Sequence, residues 1–320
     1  MNQKLSKLRT SGIFLALSGA ILFSAKAVFI KLAYQYEVSS ISLLLIRMLS
    51  ALPLYALVGL YQQRKKHSIS NTSIRPVDYL HLVLLGCIGY YLASYLDFMG
   101  LKYISASLER LILFVYPTIV VILSALFLKQ RIHPYQAMAI VITYLGMFII
   151  FSEHLDLTQN QNFWFGTGLI FLSAFTYASY LVGSGELIKR IGSISFTTYA
   201  MIVACICVII HNAFVADVKH LFDLPLPVYL YGVLMGIFCT VIPSYIISEA
   251  IQRLGASNMS IIAGIGPVST ITLSAIFLGE RLSIIQLLGA LVVIIGIFMV
   301  SRSKKDKSLK VAEQPAEVRR

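Results

Sequence analysis

Apolar runs long enough to cross a lipid bilayer follow one another along almost the whole chain. A helix needs about 20 apolar residues to span a hydrocarbon core of ~30 Å. Runs of about this length cover residues 12–34, 39–61, 79–100, 104–128, 134–152, 164–188, 195–215, 227–251, 257–278 and 284–301. Because a backbone in hydrocarbon must satisfy its own hydrogen bonds, we expect these runs to be helices. The pattern predicts an all-α integral membrane fold with ten transmembrane helices.

The composition indicates that lipid surrounds much of the apolar surface. Of the 320 residues, 58% are hydrophobic and only 12% are charged, so the chain cannot bury all of its apolar surface inside itself. The net charge of +12 comes from short basic clusters between apolar runs, which are typical of loops at a membrane surface and not of nucleic-acid binding. The four Cys lie within apolar runs. We expect no metal site and no cofactor.

One part of the chain is repeated after 150 positions. Residues 101–149 match residues 251–299 without a gap. The identical residues include a mid-helix proline and an elbow arginine, which are Pro117 and Pro267, and Arg131 and Arg281. Duplication explains this match better than shared hydrophobic composition does.

The basic residues predict the orientation of the chain in the membrane. Nineteen Lys and Arg residues lie in the segments that share a side with both termini, and three lie on the opposite side, namely Lys102, Lys219 and Arg281. Cytoplasmic loops carry the excess of basic residues, so we place both termini in the cytoplasm, in a bacterial inner membrane. Each half has five spans, an odd number, so the second half must enter the membrane inverted. We expect two inverted five-helix repeats, at residues 12–152 and 164–301, and a disordered cytoplasmic tail at residues 302–320.

Motifs at matching helix ends carry a resemblance to a known family. The ends read Ser124-Ala-Leu-Phe-Leu-Lys-Gln-Arg131 and Ser274-Ala-Ile-Phe-Leu-Gly-Glu-Arg281. With Pro117, Pro267 and Arg47, they resemble the EamA domains of the drug/metabolite transporter superfamily over nearly the whole chain outside the tail. The first half departs from the family pattern by having Lys-Gln in place of Gly-Glu. The resemblance implies transport of amino acids or other small metabolites, often outward. It also implies a substrate site between the halves, built mainly from the first, third, fourth, sixth, eighth and ninth helices.

Charged residues inside the predicted spans are candidates for the site. They are Lys26, Arg47, Asp97, Glu109, Arg110 and Glu249, and their signs balance. A charge at the centre of a span costs ~2.5–3.5 kcal/mol on an insertion scale, so we expect all of them to face the bundle interior.

Each of these charges has an expected role. Lys26 has no acidic residue one turn away on its own helix, so we expect it to bind an anionic group of the substrate, with Asp97 or Glu109 as the alternative partner. Arg110 is a second substrate-binding candidate, and structural pairing is the alternative for Glu109 and Arg110. The candidates for proton coupling are Glu109, Asp97 and Glu249. Arg47 is expected to be structural, in a permanent buried pair.

Aromatic residues and prolines complete the predicted site. Tyr91 and Tyr95 are four residues apart and share a helix face, so we expect both to line the cavity. Further cavity candidates are Tyr90, Tyr177, Tyr180 and Tyr245, and ordinary packing is the alternative for each of these tyrosines. Pro117 and Pro267 remove backbone hydrogen bonds in mid-span, and we assign them structural roles.

These features predict a secondary active transporter that moves a small metabolite, such as an amino acid, outward by alternating access. The expected partners are the bilayer, the small-molecule substrate and protons, with no nucleic acid, in a monomer or homodimer. A nucleotide-sugar or drug transporter of the same fold is one alternative, and a membrane sensor or scaffold without transport is another. Catalytic motifs such as Gly-x-Ser-x-Gly and His-Glu-x-x-His do not occur in the sequence, so we do not predict an enzyme.

The predicted orientation can be tested with introduced cysteines. The variants Gln159→Cys and Lys219→Cys should react with an impermeant thiol reagent added to intact cells. Lys66→Cys should react only after the cells are permeabilised. Labelling of Lys66→Cys in intact cells would contradict the inverted arrangement of the two halves.

Overall fold

The computed structural model describes residues 2–69, 76–152, 162–215, 221, 223–278 and 283–312. The regular structure of these residues is helical throughout. The α-helices are α1 (Asn2–Tyr34), α2 (Ser40–Ile69), α3 (Pro76–Leu85), α4 (Ala93–Gly100), α5 (Ala106–Leu113), α6 (Tyr116–Leu128), α7 (Pro134–Phe151), α8 (Phe163–Ile191), α9 (Ser193–Val215), α10 (Leu226–Gly236), α11 (Ile242–Leu254), α12 (Ala256–Ile262), α13 (Gly266–Leu278) and α14 (Ile284–Ala312). Two π-helical segments, Gly86–Leu92 and Ile237–Val241, and a 3₁₀ segment, Ala263–Ile265, join pairs of these helices.

Several of the predicted features fall outside the described residues. They are most of the polar loop between the halves (153–161), the elbow of the second half (279–282) and the end of the tail (313–320). The start of the tail is described, and it is helical, because α14 continues to Ala312. Residues 302–312 therefore differ from the predicted disorder. A helix that has already begun extends through Lys and Arg without a new nucleation cost, which accounts for this continuation.

Alone or joined in pairs, most of the described helices form segments that are long and apolar enough to cross a membrane. In the described part of the chain, 8 segments meet this criterion, at Thr10–Tyr34, Ser40–Arg64, Pro76–Gly100, Leu108–Leu128, Phe163–Ile191, Ser193–Val215, Leu226–Leu254 and Ala256–Leu273. Two shorter apolar helices cover Pro134–Ile150 and Ile284–Met299. The protein is therefore an all-helical membrane protein, and these segments coincide with the apolar runs of the sequence.

Four of the predicted runs contain irregular turns. The π-helical segment Gly86–Leu92 lies between α3 and α4, and Ile237–Val241 lies between α10 and α11. A break separates α5 from α6, and the 3₁₀ segment separates α12 from α13. Pro117 and Pro267 stand in the first turn after these two breaks. A proline has no N–H to donate and clashes with the preceding turn, so it starts a helix more easily than it continues one.

Glycines bring α7 and α14 into backbone contact. A Cβ atom on Gly146 would lie 2.7 Å from the Val293 nitrogen and 2.8 Å from the Gly289 carbonyl oxygen. A Cβ atom on Gly289 would in turn lie 2.7 Å from the Gly146 carbonyl oxygen. Small residues at such a crossing are a common way for membrane helices to pack closely.

Substitution at this crossing should therefore destabilise the protein. We expect Gly146→Ala to lower the free energy of unfolding by ~1–3 kcal/mol, because the new methyl group overlaps backbone atoms that cannot move aside. Gly168→Ala is the matched control, since a Cβ atom there meets nothing within 4 Å. The measurement is thermal unfolding of both purified variants in one detergent. Equal melting temperatures for the two variants would contradict the backbone contact.

Candidate functional site

Five charged side chains are buried together where α1, α2, α4 and α5 meet, and we call them the charge cluster. Each is at most 5% exposed. They are Lys26, Arg47, Asp97, Glu109 and Arg110. The sequence predicted that these residues face the interior, and the structure buries all five.

Lys26 and Asp97 form the tightest contact in the charge cluster. The Lys26 Nζ donates to Asp97 Oδ2 at 2.5 Å, and both side chains are almost completely buried. The same ammonium lies 4.8 Å from the centre of the Phe23 ring. The sequence argument that Lys26 lacks a partner does not hold in this conformation, because a carboxylate from another helix supplies one. Of the two alternatives, the geometry favours the pair with Asp97.

Glu109 and Arg110 are neighbours in the chain that point to different surroundings. Arg110 lines a cavity described below, whereas Glu109 is fully buried and interacts with Asp97. The Arg110 Nε lies 3.0 Å from Glu109 Oε2, but the contact lacks hydrogen-bond geometry. Both Glu109 oxygens and Asp97 Oδ1 have no hydrogen-bond partner among the described residues. A buried carboxylate oxygen without a hydrogen-bond donor lowers the stability of the fold. This part of the charge cluster can therefore accept a hydrogen bond from a donor that enters it.

Arg47 is held by a hydroxyl group and not by the expected carboxylate. Its Nε donates to Thr240 Oγ1 at 2.6 Å, and its guanidinium carbon lies 5.5 Å from the centre of the Phe98 ring. Both terminal nitrogens, Nη1 and Nη2, lack a hydrogen-bond partner among the described residues. Within the described residues, no carboxylate forms the permanent ion pair predicted for Arg47, and the Thr240 hydroxyl is its hydrogen-bond partner.

Close packing places Thr240 beside Arg47. A Cβ atom on Gly232 would lie 2.4 Å from Ile46 Cγ2, and one on Gly236 would lie 2.8 Å from the Arg47 carbonyl oxygen. Only glycine lets α10 approach α2 this closely. The π-helical segment that follows α10 contains Thr240. These two glycines therefore serve close packing between the helices.

Glu249 is not part of the charge cluster. Its Oε1 lies 2.7 Å from Arg253 Nη2, one helical turn further on, and its Oε2 accepts a hydrogen bond from Ser193. The side chain is 32% exposed. The expected balance of three cations and three anions therefore fails, because residues four apart on one helix pair locally. Among the described residues, the buried carboxylates near Lys26, Arg47 and Arg110 are those of Asp97 and Glu109.

Two small cavities adjoin the charge cluster. One, of about 40 Å³, is lined by Arg110, Ser24, Tyr116 and Pro267, and the other, of about 20 Å³, is lined by Lys26, Asp97 and Tyr90. Phe23, Leu113 and Tyr177 line both cavities and separate them. Sites for small molecules usually measure ~300–1,000 Å³, so neither cavity admits a metabolite in this conformation.

Tyr177 is the predicted tyrosine that lines both cavities. Its ring stacks on Phe23 with centroids 6.0 Å apart and meets Tyr116 edge-on at 5.4 Å. Phe23 and Tyr116 are lining residues that were not predicted from the sequence. Phe23 carried a signal, because a residue three positions before Lys26 shares its helix face. Tyr116 carried a weaker one, as the neighbour of the helix-breaking Pro117.

Tyr91 and Tyr95 share a face as predicted, but that face does not line either cavity. The Tyr91 hydroxyl is hydrogen-bonded to His211 Nδ1 at 3.0 Å, and the Tyr95 ring packs edge-on against His211 at 4.6 Å. Tyr90, which is 2% exposed, lines the smaller cavity instead. The π-helical segment adds a residue to the turn and so changes which side chains point inward.

Tyr180 and Tyr245 also lie away from the cavities. Tyr180 is buried edge-on against Tyr90 at 5.0 Å, and Gly89 makes room for its ring. The Tyr245 hydroxyl is hydrogen-bonded to Thr198 at 2.8 Å. The packing alternative describes these two residues better than a cavity-lining role.

A bundle of membrane-crossing helices that holds buried paired charges beside small cavities is the arrangement of a membrane transporter. The sequence profile of the EamA-like transporter family matches residues 10–152 and 164–302, and the chain belongs to this family.

Known relatives agree with this assignment. The chain is 30% identical over 315 residues to the uncharacterized transporter YcbK of Bacillus subtilis (strain 168), covering 97% of this chain and 98% of the relative. It is 24% identical over 330 residues to the uncharacterized transporter sll1319 of Synechocystis sp., covering 95% of this chain and 97% of that relative. A solved crystal structure is similar with a TM-score of 0.72 and 15% identity, covering 91% of this chain and 98% of that one, which shows the shared fold.

The buried pair of Lys26 and Asp97 can be tested by its effect on stability. We expect Lys26→Met to lower the free energy of unfolding by ~3–5 kcal/mol, because a buried carboxylate loses its cation. The double variant Lys26→Met/Asp97→Asn should recover most of this loss. Lys189→Met is the control, since it breaks an exposed pair with Glu186 and should cost at most ~1 kcal/mol. Thermal unfolding that is unchanged in Lys26→Met would mean that Asp97 is not its permanent partner and would restore the direct substrate role.

Proposed function

We propose that this protein is a secondary active transporter that exports a small carboxylate-bearing metabolite, such as an amino acid or a related compound. The proposed architecture is ten transmembrane helices in two inverted five-helix repeats, with both termini in the cytoplasm of a bacterial inner membrane. The two halves would rock against each other and open the site to one side at a time.

Matching irregularities support the inverted repeat. A shift of 150 positions carries the first π-helical segment onto the second, and the break between α5 and α6 onto the break between α12 and α13. It also carries Gly146 onto Gly296, and both lie in the contact between α7 and α14. Broken helices at corresponding positions of two halves are a feature of secondary transporters.

The observation that carries the proposal is the unequal number of charges in the charge cluster. Lys26, Arg47 and Arg110 supply three positive charges, against two negative charges when Asp97 and Glu109 are both ionised. An unmatched cation in a low-dielectric interior is unfavourable, and a carboxylate on the substrate would match it. The two unpaired guanidinium nitrogens of Arg47 and the cavity-lining Arg110 are its natural ligands.

Opening of the site would require the side chains that separate the two cavities to move. Phe23 stacks on Tyr177 between the two cavities, and α1 and α8 carry one ring each. Separation of these rings would join the cavities around Lys26 and Asp97. The breaks beside Pro117 and Pro267 lie at the same level, because Leu113 and Pro267 line the cavities. These breaks are suited to serve as hinges, since fewer backbone hydrogen bonds resist bending there.

Protons are the proposed coupling ion, with Glu109 and Asp97 as carriers. Their carboxyl groups interact, and three of the four oxygens lack a donor among the described residues. One added proton would form a hydrogen bond between the two groups and remove one negative charge. That step changes the charge seen by the substrate, which is what coupling requires. Glu249 is a weaker candidate, because Arg253 and Ser193 already satisfy it.

The test is a transport screen with purified protein in proteoliposomes, with and without a proton gradient. The compounds are amino acids, organic acids, nucleotide sugars and cationic drugs. We expect transport of a carboxylate-bearing compound that the gradient accelerates. Selective transport of nucleotide sugars or cationic drugs would favour that alternative function. Transport of none of the compounds, with a tightly bound partner protein recovered instead, would favour the sensor or scaffold.

Glu109→Gln tests the coupling separately. We expect the variant to exchange substrate across the membrane but to accumulate it no further when a proton gradient is applied. Glu186→Gln, on an exposed side chain, is the matched control and should keep the response to the gradient. Accumulation by Glu109→Gln against its substrate gradient would exclude Glu109 as the proton carrier.

A further inference from the structure

A larger pocket lies apart from the charge cluster, at the end of the bundle that the basic residues place in the cytoplasm. Its volume is about 360 Å³, which is within the ~300–1,000 Å³ typical of small-molecule sites. Residues 130–136 after α6 form one wall and residues 254–258 after α11 form the other, so both halves contribute. We call it the elbow pocket.

Polar groups converge in the elbow pocket. Ser124 lines it and is 1% exposed, yet its Oγ has no hydrogen-bond partner among the described residues. Gln136 Nε2 donates to Asn258 Oδ1 at 3.1 Å, and this bond joins the two walls. Gln136 is also fixed by the His133 backbone, whose N–H donates to Gln136 Oε1 at 3.1 Å. A buried hydroxyl without a partner beside a pre-formed polar wall is suited to a ligand that accepts or donates a hydrogen bond.

The charge of the elbow pocket is positive. Arg131 lines it and is exposed to solvent, and none of the described lining residues is acidic. His133 is a second lining residue that can donate a hydrogen bond. A guanidinium group binds carboxylate and phosphate through two parallel N–H donors, so the pocket favours an anion.

The elbow pocket leads towards the charge cluster. Asn258 lines the pocket, and the next residue, Met259, lines the larger of the two small cavities beside Arg110. Leu254 in the pocket and Ile247 in that cavity are two turns apart on α11. At 1.5 Å per residue, the separation is about 10 Å.

We propose that the elbow pocket is a binding site for a small soluble anion with a carboxylate or phosphate group. Resting on the proposed function, it is the site at which the substrate first binds from the cytoplasm. Arg131 attracts the anion, and Ser124 and the Gln136–Asn258 pair position it. The anion then passes Met259 to reach the unmatched positive charge of the charge cluster.

The test measures modification of a cysteine in the pocket, in nanodiscs of phosphatidylcholine. Ser257→Cys places the thiol in the lining, and the protein without this substitution gives the background from its native cysteines. Two methanethiosulfonate reagents, one anionic and one cationic, report the local potential through the ratio of their rates. Inorganic phosphate and L-glutamate are the soluble probes. A protecting anion is one that slows modification by occupying the pocket.

We expect the anionic reagent to be favoured, and phosphate or L-glutamate to slow modification at millimolar concentration. Adding Arg131→Gln should lower the ratio of anionic to cationic rates by roughly fivefold and abolish the protection. Arg64→Gln is the matched control, since Arg64 is an exposed arginine outside the pocket, and it should leave both results unchanged.

Protection by neither probe, or equal protection with and without Arg131, would overturn the proposal. Protection that appears only when phosphatidylglycerol replaces phosphatidylcholine would assign the pocket to a lipid headgroup and overturn it as well. Because nothing is transported in a nanodisc, the result is separate from the transport screen. Transport without protection would leave the proposed function standing and remove only the elbow pocket from it.

Discussion

The ion pair between Lys26 and Asp97 joins two membrane-crossing segments at a place where neither charge meets water. Each charge alone would cost several kcal/mol in such surroundings, so the position of α1 relative to α4 depends on their contact. The other buried charges then arrange themselves around this pair. Lys26 takes one Asp97 oxygen, Arg47 binds Thr240, and among the described residues neither Glu109 oxygen accepts a hydrogen bond. A proton or a substrate that competes for Asp97 would therefore affect the contacts of every member of the charge cluster.

Sequence alone was enough to predict the helical segments and the burial of the charges. Span lengths follow from bilayer thickness, and the burial of Lys26, Arg47 and Glu109 follows from the cost of charge in lipid. Which of these charges pair could not be predicted from the sequence, because pairing depends on contacts between helices that are far apart in the chain. The prediction that Glu249 joins the other charges in the bundle interior was wrong because of a local contact. Its partner Arg253 lies only four residues away on the same helix. Tyr91 and Tyr95 were misplaced because nothing in the local sequence indicates the π-helical turn that redirects them.

The two halves share a scaffold but not its chemistry. Helix ends, breaks and π-helical segments coincide after a shift of 150 positions, whereas the charges do not. The residues that correspond to Asp97, Glu109 and Arg110 are Ile247, Met259 and Ser260. Ile247 and Met259 line the larger of the two small cavities, and Ser260 is buried next to Met259 in the chain. All three are uncharged. In this arrangement the first half supplies the buried charges, and the second half supplies uncharged residues beside them.

The π-helical segments give this scaffold a property that straight helices lack. Such a turn holds one residue more than an α-helical turn, and the surplus residue need not stay at one position. If it moved along the helix by a turn, the side chains in between would rotate by ~100° while most backbone hydrogen bonds re-formed behind them. For Gly86–Leu92, that rotation would withdraw Tyr90 from the smaller cavity and bring a neighbouring side chain to the same wall. The wall of the cavity would then change its side chains while the span that carries it stayed in place.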